Sequence, residues 1–247
     1  MTYPLGYEIE EINRLKKQFS LLYPSELSQV VKSEDLVLDV GCGAGDLLAF
    51  LPKGITYTGI DIKDVVRSSY RELPNINIIE SDFLSWNAKQ KFTFINLRLV
   101  LWSVSDPTIF LKKALGLCVE PLRFFSYEPD DRGLEFSHDL QCLSVLAKNW
   151  QTEVLRQGKD PFIGEKLQSL LSSANVTDFD FKESILLRQG GDDIQTLKDA
   201  ANNLIGIFSK YPNSEVLAEN CREHVKNVND KSWFKETEFF WIVDQWT

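Results

Sequence analysis

Val37-Leu-Asp-Val-Gly-Cys-Gly-Ala-Gly-Asp46 reads as the end of a buried parallel strand that runs straight into a turn of alternating glycines. A helix-like run, Asp46-Leu-Leu-Ala-Phe-Leu51, follows it. Glycine at alternate positions lets the main chain turn tightly and lets a ligand approach where any Cβ would collide. The spacing is G-x-G-x-G, and Asp46 stands where a dinucleotide fingerprint has its third glycine. Asp39 lies two places before the first glycine, an awkward choice beside a pyrophosphate and a good one beside a positive ammonium or sulfonium. The turn therefore points to S-adenosylmethionine rather than to a dinucleotide.

Working outward, strands and helices alternate from Leu36 to Glu128. Strands are expected at 36–40, 55–60, 76–80, 91–97 and 122–128, with helices at 44–51, 63–73 and 106–118 between them. Asp106-Pro107 supplies an N-cap followed by proline at the first helical position. Such alternation predicts parallel βαβ units and a doubly wound, mostly parallel α/β sheet. Before it, Ile9, Ile12, Leu15, Phe19 and Leu22 recur at three- and four-residue steps and predict an amphipathic helix over 8–31. After Glu128 the rhythm changes. Residues 135–157 and 192–228 read as helical insertions, 161–174 as a crossover helix and 177–187 as a strand. Glu238-Phe-Phe-Trp-Ile-Val-Asp-Gln-Trp246 closes the chain as an aromatic, β-branched strand. The expected organisation is one domain over 1–247, with its core at 36–128 and 160–187 plus a final strand at 237–246. The blocks 135–157 and 192–228 would cap the carboxyl edge of the sheet, where open α/β sheets bind ligands.

Composition narrows the partners. The 247 residues carry a net charge of −9, which argues against a nucleic-acid backbone as ligand. No apolar run reaches membrane-spanning length, and the first residues have neither the basic start nor the apolar core of a signal peptide. Cys42, Cys118, Cys142 and Cys221 are widely spaced and accompany only two histidines, so no zinc site is expected and a reducing, cytoplasmic setting is. Oligomeric state is not readable.

Asp61 ends the second expected strand in Thr58-Gly-Ile-Asp-Ile62, 20 residues after Gly41. A carboxylate there can accept hydrogen bonds from both hydroxyls of a ribose lying against the glycine turn, and the following Ile62 can rest on an adenine face. At the end of the third strand, in Ile79-Glu-Ser-Asp-Phe-Leu84, Asp82 can accept from the adenine amine and Phe83 can meet the ring.

The ordered series Asp-x-Gly-x-Gly-x-Gly, Gly-x-Asp and Ser-Asp-Phe resembles the class I, Rossmann-like S-adenosylmethionine-dependent methyltransferases over nearly the whole chain. Asn96-Leu-Arg-Leu-Val-Leu101 with Ser105-Asp-Pro107, Tyr127-Glu-Pro-Asp130 and Ile12-Asn-Arg-Leu-Lys-Lys-Gln18 are similar to segments of the small-molecule members. The asparagine-proline-proline-tyrosine signature of amino-group and adenine methyltransferases is absent, since the fourth strand ends Ile95-Asn-Leu-Arg98. The resemblance implies a Rossmann-like sheet of seven strands. It also implies that Asp39, Gly41, Gly43 and Gly45 surround the methionine part of the cofactor, Asp61 holds the ribose, and Ile62, Asp82 and Phe83 hold the adenine. It places Arg98 and Gln18 at the amino-acid end. A salt bridge to Asp39 competes for Arg98, and a solvated helix face for Gln18.

A sulfonium is already a strong electrophile, so such an enzyme mainly aligns an acceptor with the S–CH₃ bond and excludes water. Trp102, Tyr127 and His138 are the expected acceptor-side residues. Glu128, Asp130 and Asp131 can orient an acceptor or form a solvated acidic turn. No catalytic base is assigned. Trp150, Phe162, Phe208, Trp233 and Trp241 are candidate pocket walls or core, and Cys42 is expected as a small packing residue. A non-catalytic S-adenosylmethionine-binding protein, an aminopropyl transferase and a dehydrogenase remain alternatives on the same scaffold.

Overall fold

A computed structural model describes residues 9–21, 27–66, 68–211 and 214–244. Its strands are β1 (Leu36–Val40), β2 (Thr56–Asp61), β3 (Ile76–Glu80), β4 (Phe94–Arg98), β5 (Arg123–Phe136), β6 (Asp180–Gln189) and β7 (Trp233–Asp244). They form one seven-stranded sheet in the order β3-β2-β1-β4-β5-β7-β6. β7 runs antiparallel to both β5 and β6, and the β3-β2-β1-β4-β5 neighbours pair in parallel. The helices are α1 (Ile9–Leu21), α2 (Leu27–Val30), α3 (Ser68–Arg71), α4 (Pro107–Gly116), α5 (Gln141–Arg156), α6 (Ile163–Ser173), α7 (Gly190–Phe208) and α8 (Glu215–Lys226). The Rossmann-like seven-stranded expectation therefore holds.

Successive residues of β1 fall into different cores: Leu38 and Val40 join one hydrophobic cluster and Val37 the other. A strand with both faces covered must be apolar throughout, which is why Leu36–Val40 reads as a nearly continuous hydrophobic run. The strand order reverses between β1 and β4, and the crevice beyond their carboxyl ends is where this architecture receives ligands.

Several expected elements change. The helix over 44–51 shrinks to a 3₁₀ turn, Asp46–Ala49, because Gly45 enters it left-handed without a side-chain cap and Pro52 follows closely. The helix over 63–73 reduces to α3. Asp64 bonds the Val66 main-chain N–H through its own side chain, a local bond that competes with helix. The 135–157 block is a strand as far as Phe136 before α5 begins, because β5 continues past Glu128 to pair with β7. β7 likewise begins at Trp233 rather than 237 or 238. By contrast α4 starts as expected, with Asp106 accepting from the Ile109 N–H at 2.9 Å. Of the 8–31 helix, residues 8 and 22–26 lie outside the described residues, as do 245 and 246 of the final strand. Among the described residues no helix is long and apolar enough to cross a membrane.

Candidate active site

One cavity runs along the carboxyl ends of the strands, from β3 at one side to β7 at the other. It brings together Gln18, Asp39, Gly41, Gly43, Asp61, Ile62, Asp82, Phe83, Arg98, Trp102 and Tyr127, residues up to 109 positions apart. Gly45 and His138 do not border it.

The glycine turn explains the first of these omissions. All three glycines are left-handed, with φ of 73°, 52° and 77° at Gly41, Gly43 and Gly45. At Gly43 a Cβ would meet only Leu15 Cδ1, at 3.9 Å, so that side of the turn is open to the cavity. At Gly45 a Cβ would come within 3.0 Å of Val66, so the seating of the following segment requires a glycine there. Cys42 is buried, and its sulfur lies 2.9 Å from where a Cβ on Gly59 would be. Burial and the nearby Asp39 carboxylate push its thiol well above the ordinary value, in keeping with a packing role.

Asp61, at the end of β2, accepts from the Gly43 main-chain N–H at 2.9 Å. Burial raises its carboxyl, and the main-chain N–H groups of Gly43, Lys63 and Ile62 partly offset that. Asp39 is 3% exposed. Its oxygens accept from Tyr57 Oη at 2.6 Å and Asn96 Nδ2 at 2.7 Å, while burial still raises its carboxyl. Arg98 lies over the Phe19 ring, 4.0 Å from its centroid. Its Nη1 is buried without a hydrogen-bond partner among the described residues. Burial lowers its ionisation, and the Asp39 charge opposes that shift. Immediately after Arg98 the chain reverses at Leu99, a non-glycine residue at φ 58°, held by its N–H donating to the Tyr127 carbonyl at 2.8 Å.

His138 lies outside because β5 runs on through Phe136 and carries it to an exposed turn beyond the paired stretch of β5 and β7. Of the other aromatic candidates, Trp150 and Phe208 border the cavity and Phe162 and Trp233 do not, while the side chain of Trp241 lies outside the described residues. Trp102 donates from Nε1 to the Leu99 carbonyl at 2.9 Å and lies 5.6 Å from Trp150, ring centre to ring centre.

Gln18 belongs to a polar wall on α1 and α7 whose other members, Glu11, Arg14 and Asn203, the sequence reading missed. Arg14 donates to both oxygens of Glu11, at 2.8 and 2.6 Å, to Gln18 Oε1 at 2.9 Å and to Asn203 Oδ1 at 3.3 Å. All four residues border the cavity. Glu11, Arg14 and Gln18 share one helix face at steps of three and four, a stripe visible beside the apolar one. Asn203 is 189 positions from Arg14 and left no local signal. Glu236 of β7 was also missed, and Asp131 was left undecided; both border the cavity. Among the described residues, no group of three or more His, Cys, Asp or Glu side chains is placed to hold a metal ion.

Comparison with known proteins agrees with this arrangement. The family model described as "Methyltransferase domain" matches residues 13–178. No curated protein matches the chain. Among solved structures, a cyclopropane-fatty-acyl-phospholipid synthase-like protein from Lactobacillus casei is similar at TM-score 0.55 and 17% identity, over 93% of this chain and 92% of that one. A S-adenosylmethionine-dependent methyltransferase from Thermotoga maritima is similar at TM-score 0.55 and 14% identity, over 96% of each. A [4+2]-cyclase, SpnF, shares the fold at TM-score 0.52 and 18% identity, over 87% and 78%. The fold alone therefore hosts more than one chemistry. With the family match spanning well over half its length, the chain belongs to the methyltransferase-domain family and is a class I S-adenosylmethionine-dependent methyltransferase.

Proposed function

We propose that the chain transfers the methyl group to a small organic acceptor, with the cofactor on the β1–β3 side of the cavity and the acceptor on the β5–β7 side. The observation that carries this reading is the single cavity joining an open glycine turn and a strand-end carboxylate to a wall of aromatic rings. Its residues fit the cofactor. Asp61 is a carboxylate beside the turn for the ribose hydroxyls. Gly43 offers bare main chain to the methionine part next to Gly41, whose own Cβ side is taken by Val100, and Arg98 has an Nη1 without a hydrogen-bond partner among the described residues for a carboxylate. Ile62 and Phe83 supply apolar surface for adenine, and Asp82 an acceptor for its amine. Gln18 stands with Arg98 at the amino-acid end. Asp39 acts through its charge, since its oxygens already bind Tyr57 and Asn96.

The bound cofactor supplies an activated methyl group. The chain's own residues then hold the acceptor in line and keep water away. Trp102 and Tyr127 form the floor on the acceptor side. We read α1, α5, α7 and α8 as the cover over the core strands, with Glu11, Arg14, Gln18 and Asn203 fastening α1 to α7. A cytoplasmic setting is supported by four free cysteines.

Two experiments test these assignments. With isotopically labelled S-adenosylmethionine and a fractionated cell extract, label should enter the small-molecule fraction. Label confined to protein or nucleic acid would overturn the acceptor class. For the cofactor side, Arg98→Met keeps an unbranched apolar side chain and removes the guanidinium that lies over the Phe19 ring. It should weaken S-adenosylhomocysteine binding about tenfold, since a hydrogen bond to a charged group contributes about 1.5–3 kcal/mol. The melting temperature should fall modestly, because buried Asp39 loses a neighbouring positive charge, so calorimetry is run at a temperature where both proteins are folded. Equal affinity in calorimetry would remove Arg98 from the site.

A further inference from the structure

The acceptor end of the cavity is built around a distortion of the sheet. Asp130 pairs with Thr237 and Glu135 with Lys235, so residues 131–134 of β5 lie opposite the single residue Glu236 of β7. A wide bulge of this kind re-aims side chains, and Gly133 permits it, because a Cβ there would overlap the Thr237 side chain. Asp131 and Glu236 both border the cavity as a result. The main chain of Asp131 is pinned: its N–H donates to the Pro161 carbonyl at 3.2 Å, and its carbonyl accepts from Gln151 Nε2 at 3.1 Å.

The two neighbouring aspartates differ sharply. Asp130 accepts two hydrogen bonds from the Arg132 guanidinium, at 2.9 and 2.6 Å, and is satisfied. Asp131 Oδ2 is buried and has no hydrogen-bond partner among the described residues. Glu236 is ion-paired with Arg188, at 3.5 Å. Independently, Trp150 is 4% exposed, borders the same cavity, and has an Nε1 without a hydrogen-bond partner among the described residues. Trp102 and Phe208 lie 5.6 and 5.4 Å from it, centre to centre. Buried unpaired polar groups are costly, and proteins keep them where a ligand completes them. Aromatic faces beside carboxylates are complementary to one kind of ligand, an organic cation.

We propose that the β5–β7 end of this cavity recognises its acceptor as an amine, with Asp131 and Glu236 facing the positively charged nitrogen and Trp102, Trp150 and Phe208 enclosing its apolar body. The proposal rests on the reading that this end holds the acceptor. Burial raises both carboxyls. For Asp131 the charges of Asp130 and Glu236 add to it, and for Glu236 Arg188 opposes it. A raised carboxyl is better matched to taking a proton from an ammonium. In the reaction that follows, a carboxylate receives one N–H proton and the freed lone pair forms the N–CH₃ bond. The S–CH₃ pair returns to sulfur, leaving a neutral thioether and a methylated, positively charged nitrogen.

The test uses the full chain saturated with S-adenosylhomocysteine and the probes phenethylamine, 2-phenylethanol and phenylacetate, followed by calorimetry. The amine should bind at least tenfold more tightly than the alcohol, and the carboxylate should not bind measurably. Asp131→Asn and Glu236→Gln should each reduce amine affinity about tenfold and leave alcohol affinity and S-adenosylhomocysteine affinity unchanged. Two single substitutions guard against a folding defect in either one, and Asp131→Asn removes a buried charge rather than a partner. Equal binding of amine and alcohol, no amine binding to the wild-type complex, or amine preference retained in both variants would overturn the proposal. Failure of the wild-type chain to bind S-adenosylhomocysteine would instead strike the underlying assignment of the cavity.

Discussion

Replacing Asp61 by alanine is expected to weaken S-adenosylhomocysteine binding about a hundredfold while the protein stays folded. The carboxylate stands at the carboxyl end of β2, where it already accepts from the Gly43 N–H at 2.9 Å. In the proposed complex it also takes both ribose hydroxyls. Two hydrogen bonds to a charged group, at about 1.5 kcal/mol each, sum to about 3 kcal/mol, or about two orders of magnitude in affinity. The bond to Gly43 complicates the result, because alanine frees the glycine turn as well as the sugar. Asp61→Asn separates the two effects. Its amide oxygen can still accept from Gly43, so the turn is kept and only the charge-assisted part of the ribose contact is lost. An intermediate loss of about tenfold is expected, with a melting temperature near that of wild type. Calorimetry paired with thermal unfolding reads both quantities. Unchanged affinity in the alanine variant would remove the ribose assignment. Equal losses in the two variants, each with a lowered melting temperature, would show that Asp61 works only by bracing the turn.

Residues at strand ends were legible because their spacing is set by the βαβ repeat itself. Asp39, Gly41, Gly43, Asp61, Asp82 and Arg98 each follow from where a parallel strand must stop, and all six border the cavity. Gly45 shares the left-handed φ of Gly41 and Gly43 but does not border the cavity, because φ preference alone does not distinguish a glycine that faces a cavity from one that admits Val66. The short helices after β1 and β2 were overestimated for a local reason: Pro52 and the Asp64 side chain interrupt runs whose apolar content suggested more. What stayed illegible depends on long-range pairing. The extension of β5 to Phe136 exists only because β7, about a hundred positions later, lies beside it. That single pairing sends His138 out of the site and brings Glu236 in. Asn203 reaches Arg14 only because α7 folds back over α1. The proposed cofactor side was thus written in local motifs, and the proposed acceptor side in tertiary contacts.

Glu128 should make the stability of the protein depend on pH in a direction opposite to that of ordinary surface carboxylates. It is fully buried, and its Oε1 accepts from the Val100 and Leu101 N–H groups at 2.8 and 2.7 Å, fixing the turn Leu101–Ser103. Val100 in turn packs against Gly41, so this carboxyl props the floor of the glycine turn. Burial pushes it from 4.5 up to about 8, against the pull of those N–H groups. Between these values the folded chain retains a proton that the unfolded chain has released, so stability falls as pH rises, by about 1.4 kcal/mol per unit at the steepest. Below about 4.5 both states are protonated and above about 8 both are ionised, which confines the effect to that window. The total is on the order of 3–5 kcal/mol, large against a typical folding free energy of 5–15 kcal/mol. Glu128→Gln keeps an acceptor oxygen for the two N–H groups and cannot ionise. Other buried carboxyls with raised values, such as Asp39, Asp61, Asp131 and Glu236, slope the wild-type curve too, but they cancel in the difference between the two proteins. Urea unfolding at pH 5 and pH 8 should therefore show the glutamine variant less stable than wild type at the lower pH, where the protonated acid does the same work without an extra buried amide. At the higher pH the order should narrow or reverse. Parallel curves across that range would mean that Glu128 is ionised in the folded protein, with a countercharge reaching its second oxygen.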